Sequence, residues 1–358
     1  MQRDTGVPRK PIHGLVTISL DTERMWGYFD LMGEPQCHKR FPGAEPMHDR
    51  LLQLLVQGGV SATWAVVGGL ALDSSAGAPD ERLRGLDGSW TRRIPAGDQR
   101  TAPLWYARDF IRRLRDARPV QEIGLHGGLT HLPWGAGATT AEHARWELRQ
   151  GLASLAELGI EPRSFVYPRD LVAQPELLAE SGFGCYRGRA PIWSERFGYS
   201  LTGSAIRAAE ELAVLTPPPV WPVRVLPGLW NLPASMPLYS MAAKRNRAIP
   251  LRLRLERVRR GLEAAARRRG VFHLALHPEN LAEGPDAFSV FESVGKHGIG
   301  KAVGGYLPQL AEEQAENEHG EEGLDDRPCG AERGLLVANL DVAPDEEVQQ
   351  LAVVTHFP

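Results

Sequence analysis

Apolar positions along the chain fall into short runs separated by stretches of helical spacing. Residues 14–20 (GLVTISL) are apolar, rich in β-branched side chains, and stop at Asp21, which predicts a strand. Residues 47–57 place apolar positions on one helical face and stop at Gly58-Gly59. The pattern then predicts a strand over 60–67, a helix over 104–116 and a short strand over 120–125 that runs into His126. Thr139 and Glu142 fit the T-x-x-E capping box ahead of a helical run from 143 to 158, closed by Gly159. A strand over 163–167 is stopped by Pro168. It is followed by a helix at 174–181, a strand at 184–187, a helix at 251–268 and a strand at 271–276 that ends at His277. Residues 68–101 are rich in Gly, Asp, Ser and Arg and read as a long insertion or lid. The Pro-rich stretch 217–227 reads as a loop that keeps apolar Trp221, Val223 and Val225. Strands alternating with helices predict an α/β protein with a largely parallel sheet, with about six such units across residues 12–295.

Composition narrows this further. The chain has 358 residues, 42% hydrophobic and 24% charged, as in soluble globular proteins and unlike disordered or collagen-like ones. No apolar run approaches the ~20 residues of a membrane-spanning helix. The charged N-terminus leads into an apolar stretch broken by Thr17, Ser19 and Asp21, which does not fit a secretory signal, so a cytoplasmic protein is expected. Cys37, Cys185 and Cys329 lie far apart without a C-x-x-C pair, which signals neither a disulfide framework nor a cysteine zinc site. The net charge of −3 hides an asymmetry: residues 299–358 carry 13 acidic against 3 basic side chains. The domain is therefore expected over 12–295, and 296–358 reads as an acidic, mostly disordered tail. Residues 244–270 hold 11 Lys and Arg. They suit either contact with phosphates or a solvated helix covering the sheet, and the second reading is preferred, so no nucleic-acid partner is expected. No Walker loop, G-x-G-x-x-G, G-x-S-x-G or H-E-x-x-H is present.

The polar residues Asp21, His126, Arg169 and His277 share one property: each falls at the C-terminal end of a predicted strand, the rim where parallel α/β folds bind ligands. Asp21 and Glu23, two residues apart, can divide labour between taking a proton from water and holding a metal, or can be a solvated acid pair. His126 and His131 can converge on one ion, or can be one core and one surface histidine. Arg169 can orient a carboxylate. His277 can serve as a general acid. His273 lies on the same side of that strand and deeper, which suits a structural role. Trp26 and Trp134 sit beside these residues in the sequence and can stack on a sugar ring or belong to the core.

Taken together, the segments VTISLDTE, VSATWAVVG, EIGLHGGLTH, SFVYPRD with FGCYRG, GLWNLPASM and FHLALHPENL resemble, in order, the motifs of the polysaccharide deacetylase family, also called the NodB-homology or carbohydrate esterase family four. The resemblance covers roughly residues 12–295. It implies a distorted (β/α) barrel of about seven parallel strands and metal-dependent removal of an N-acetyl group from an amino sugar. By the same resemblance Asp21 matches the catalytic base, and Glu23, His126 and His131 match the ligands of a divalent ion, zinc by preference. Arg169 would hold the base, His277 would protonate the departing amine, and Leu276 would line the slot for the acetyl methyl. Two departures stand out: Thr22 occupies the family's usual second Asp, and the histidines are five residues apart, not four. A catalytically silent carbohydrate-binding protein and a hydrolase of another non-peptide amide are the alternatives.

Overall fold

The computed structural model describes residues 14–30, 44–77, 79–85, 88–135, 139–198, 200–239 and 249–283, isolated positions between 33 and 39, and two strands near the C-terminus. The strands are β1 (Gly14–Thr22), β2 (Thr63–Val66), β3 (Ser74–Ala76), β4 (Ala96–Asp98), β5 (Glu122–His126), β6 (Ser164–Val166), β7 (Cys185–Arg187), β8 (Val223–Leu226), β9 (Leu229–Asn231), β10 (Met236–Leu238), β11 (Val271–Leu276), β12 (Val337–Leu340) and β13 (Leu351–Val354). The α-helices of six residues or more among the described residues are α1 (Ala44–Gln57), α2 (Arg108–Asp116), α3 (Ala141–Ala156), α4 (Pro175–Glu180), α5 (Leu201–Leu212) and α6 (Leu251–Arg268).

The main sheet runs in the order β10-β11-β1-β2-β5-β6-β7-β9-β8. Every neighbouring pair from β10 to β9 is parallel, and only β8 returns antiparallel. The sheet curls into an open, distorted barrel, the architecture expected from the strand–helix alternation. Strand periodicity divides β1 between two surroundings. Val16, Ile18 and Leu20 join the main hydrophobic core together with Leu51 and Leu55 of α1 and Val258 and Leu262 of α6. Thr17 and Ser19 line the inside of the barrel, where they border a water-sized cavity of about 40 Å³ together with Thr63, Ser164, Cys185 and His273. The core thus lies between sheet and helices, and the interior column is small and polar.

Several local expectations change. Residues 68–101 are more than a loop: they carry a 3-10 turn at Gly68–Ala71 and the antiparallel pair β3–β4, and they bury Leu83 and Ile94. The cap of α3 is Thr140, whose hydroxyl accepts the His143 N–H, while the Thr139 hydroxyl donates to the Pro133 carbonyl at 2.6 Å. Part of 217–227 is the edge strand β8. Several arginines of α6 are paired with acidic side chains. Arg254 is buried against Glu211 at 3.0 Å, and Arg259 and Arg260 pair with Glu256. Within 296–358, β12 and β13 form an antiparallel pair, and β13 lies along Gly14–Val16 of β1, below the point where β2 begins to pair. The rest of that tail, residues 284–295, and Cys37 and Cys329 lie outside the described residues. No helix among the described residues is long and apolar enough to cross a membrane.

Candidate active site

The site forms where β1, β5, β7 and β11 end. Alternation along β1 turns Asp21 inward and Thr22 away, where the Thr22 hydroxyl is 3.3 Å from the Leu20 carbonyl. Glu23, one position further on, returns to the inner face. The chain then tightens into a 3-10 turn, Arg24–Gly27, with Arg24 at φ +45°. A Cβ at position 27 would meet the Glu23 carboxylate at 2.1 Å, so any other residue there would displace it. Glu23 therefore reaches the inner face two positions beyond Asp21, with Thr22 turned away between them.

The five-residue histidine spacing is accommodated in a similar way. Gly127 takes φ +78°, a left-handed conformation that costs glycine little, and its N–H donates to the Val166 carbonyl at 3.0 Å. Glu147 of α3, fully buried, then fastens the loop by accepting the Thr130 N–H at 2.8 Å and its hydroxyl at 2.6 Å. As a result His131 folds back onto His126. The two Nε2 atoms are 3.1 Å apart, and Glu23 Oε2 lies 3.2 Å from His126 Nε2 and 2.9 Å from His131 Nε2.

This triangle fits a divalent cation. His126 Nδ1 faces the Val166 carbonyl at 3.0 Å, and a carbonyl only accepts, so Nδ1 donates and the neutral ring offers a lone pair at Nε2. Three buried donor atoms then converge within 4.8 Å of one another. A tetrahedral zinc ion with bonds of about 2.0–2.1 Å separates its ligands by about 3.3 Å, close to the observed edges.

Asp21 stands beside the triangle, gripped by an arginine. Arg187, at the end of β7, donates Nη1 to Asp21 Oδ1 at 2.5 Å and Nη2 to Oδ2 at 2.7 Å, and it is itself braced by Ser19 and Asp170. Burial pushes the Asp21 carboxyl up, but Arg187, His126 and His277 outweigh it and hold the group at about 2. Burial opposes the Glu23 charge in the same way, and His131 and His277 bring its pKa well below the ordinary value. His277 closes the arrangement, with Nε2 at 3.2 Å from Glu23 Oε1 and 3.7 Å from Asp21 Oδ2. Burial disfavours its charge, yet the two carboxylates raise its pKa to about 10. Its side chain is 32% exposed, against 5% or less for Asp21, Glu23, His126 and His131, so it marks the open side of the site.

Arg169, expected beside Asp21, lies elsewhere. It sits beyond Pro168 in the turn that follows β6, at φ +56°, and its guanidinium pairs with Asp30. The place expected for it belongs to Arg187, which the sequence reading passed over. Arg187 also ends a strand and alternates with Cys185 toward the interior, and that signal was available to find it. Trp26 and Trp134 are both core residues. Trp26 is fully buried, donates Nε1–H to the Trp105 carbonyl at 2.8 Å and meets the Trp105 ring edge-on. Trp134 is 1% exposed and packs against Phe165 and Tyr167. Leu276 belongs to the main core with Leu274, on the face of β11 opposite His273, so it does not line the barrel interior. His273 lies deeper: Nδ1 donates to the Pro233 carbonyl at 3.1 Å and Nε2 accepts from the Ser19 hydroxyl at 2.9 Å.

No protein-family model matches the sequence, and no curated protein matches it. Solved structures do match. A Mycobacterium smegmatis protein assigned as a polysaccharide deacetylase matches with a TM-score of 0.52 at 18% identity, over 90% of this chain and 99% of that one. The 4-alpha-glucanotransferase of Thermococcus litoralis gives a TM-score of 0.45 at 15% identity, over 82% of this chain and 38% of that one. The peptidoglycan deacetylase PdaC of Bacillus subtilis gives 0.30 at 9% identity, over 86% and 99%. The chain has the fold of the first of these, the polysaccharide-deacetylase barrel that its motifs implied.

Proposed function

We propose that the protein is a metal-dependent hydrolase that removes an N-acetyl group from an amino-sugar-containing saccharide. One observation carries this reading: a Glu-His-His donor triangle, a carboxylate clamped by arginine and a partly exposed histidine meet at one end of the barrel. Glu23, His126 and His131 would hold the ion. When bound, a divalent cation polarises an amide carbonyl and eases deprotonation of water.

The other steps belong to the chain. Asp21, kept ionised and oriented by Arg187, takes the proton from the attacking water. His277, on the solvent side and 3.2 Å from Glu23 Oε1, gives its proton to the nitrogen, because an amine departs from a tetrahedral adduct only when protonated. Burial of Asp21 and Glu23 strengthens these interactions relative to water. The silent-protein alternative drew on Thr22 and on the histidine spacing; the convergence of Glu23, His126 and His131 supports the catalytic reading over it.

The test is the metal content of the purified protein beside His126→Ala and His131→Ala variants, followed by acetate release from N-acetylated oligosaccharides. Near-stoichiometric zinc lost in both variants, with acetate released by the parent, is the expected result. A parent that takes up no divalent ion after reconstitution refutes the proposal.

A further inference from the structure

A second buried group lies behind the site, and the chemistry above makes no use of it. Glu279 follows His277 and Pro278 at the start of the 3-10 segment Pro278–Glu283, and its side chain is 1% exposed. Its Oε1 accepts the Arg24 N–H at 2.9 Å and lies 3.3 Å from Nε2 of His48, a fully buried histidine of α1. The His48 ring meets Phe110 of α2 edge-on at 5.4 Å. One carboxylate thus joins three segments: the turn that carries Glu23, the turn that carries His277, and α1.

Two observations set this apart from ordinary packing. A buried carboxylate is costly unless its partners are specific. The backbone it holds is also unusual: Arg24 is a non-glycine residue at φ +45°, directly after Glu23, and such a conformation persists only where the surroundings impose it. Further anchors fix the same turn, with Arg24 Nη1 donating to the Pro103 carbonyl at 2.6 Å and the Met25 N–H to the Leu104 carbonyl at 3.1 Å. On the other side, the Asn280 N–H donates to the His277 carbonyl at 3.0 Å and closes the turn in which Glu279 sits.

We propose that Glu279 is a positioning residue that ties the Glu23 turn to the His277 turn, with His48 as its buried partner. It touches neither substrate nor metal. It sets the separation between a ligand carboxylate and the acid histidine, and so acts through both. The role rests on the deacetylase reading of the site.

The experiment compares the full-length wild type with Glu279→Ala, Glu279→Gln and His48→Phe. Zinc affinity is read by competition with a chromophoric chelator, and kcat and KM by acetate release from an N-acetylglucosamine disaccharide. Glu279→Ala should weaken zinc binding at least tenfold and lower kcat at least tenfold, with KM within threefold. Glu279→Gln, whose amide oxygen can still accept the Arg24 N–H, should recover both to within threefold. Equal zinc affinity and kcat in Glu279→Ala and wild type would overturn the role, as would a glutamine variant as impaired as the alanine one. If Glu279→Ala does not fold, His48→Phe decides: a threefold or greater fall in kcat at constant KM supports the role, and no change refutes it. A wild type that binds zinc and releases no acetate refutes the deacetylase reading alone, since the zinc measurements still decide the role of Glu279. A wild type that binds no zinc overturns both.

Discussion

His277 and His273 lie four residues apart at and near the end of β11 and belong to two regions that handle charge in opposite ways. At the rim, His277 faces Glu23 and Asp21, and its pKa rises to about 10. One layer below, burial and the nearby Arg187 guanidinium lower that of His273 to about 3. The rim collects carboxylates, imidazoles and a guanidinium around donor atoms that leave room for an ion. The interior beneath it is mostly hydroxyls, a thiol and a neutral imidazole around a cavity of about 40 Å³, with Glu122 and Arg187 at its edge. Arg187 connects the two, with both nitrogens on Asp21 above and Nη1 also on Ser19, whose hydroxyl then serves His273. The same residue type on one face of one strand stands among carboxylates at the top and is a fixed hydrogen-bonding strut below. The lesson is that position along the strand decides the charge environment of each histidine.

The largest effect that separates the regions should come from the base. Asp21→Asn keeps the shape and one of the two hydrogen bonds from Arg187 but cannot take a proton. It should lower acetate release by about 10²–10⁴-fold and leave bound zinc unchanged, measured by turnover and elemental analysis on one preparation. Zinc lost together with activity would make Asp21 a ligand and break the division of labour between it and Glu23.

Next in size is the connector. Arg187→Met leaves Asp21 buried without its guanidinium and should cost about 3–5 kcal/mol of stability in urea unfolding. Arg169→Ala removes a partly exposed pair with Asp30 and should cost about 0–1 kcal/mol. Reversed magnitudes would return Arg169 to the role that the motif resemblance implied for it.

These two arginines show how far the site could be read from the sequence. Where a β-branched run stops at a polar residue was legible, and so Asp21, His126 and His277 were found at the rim. Glu23 and His131 were legible as chemistry but not as geometry. Their convergence depends on a positive φ at Arg24 and Gly127 and on the room that Gly27 leaves for the Glu23 carboxylate, which no spacing rule expresses. Arg187 was missed because motif order favours the arginine after Pro168, whereas reach to Asp21 depends on which strand end points inward. Trp26 and Trp134 were read as able either to stack on a sugar or to belong to the core, and both lie in the core. Adjacency in sequence says nothing about which face of the loop an indole takes, and both found aromatic partners in the core.

A smaller effect probes the lower region by pH. The unfolded chain carries His273 at its ordinary pKa of 6.5, and the native state holds it near 3. Above 6.5 both states are neutral and the group has no effect. As pH falls below 6.5 the unfolded state binds a proton that the native state refuses, so stability declines by about 1.4 kcal/mol per pH unit until about pH 3. His273→Gln should remove that increment from the slope of unfolding free energy against pH between 6 and 4, relative to wild type. An unchanged slope would mean that the native imidazole accepts a proton despite Arg187, and the contrast with His277 would collapse.

The smallest effect concerns Cys185, which lines the same cavity on β7 two residues before Arg187. A cysteine two residues before the arginine that grips Asp21 invites a reactive role, and thiolates are the reactive form. Here burial, reinforced by the nearby Glu122 carboxylate, pushes the thiol far above its ordinary pKa, so almost none ionises at neutral pH. The side chain points into the lower layer, away from the donor triangle. Cys185→Ala should therefore leave kcat and zinc content within twofold of wild type and cost at most about 1 kcal/mol of stability, the scale of a small group removed beside an existing void. A tenfold fall in kcat would show that packing two residues below Arg187 sets the geometry at Asp21. The two regions would then be one mechanical unit, and the boundary drawn between them at Ser19 would have to move down the barrel.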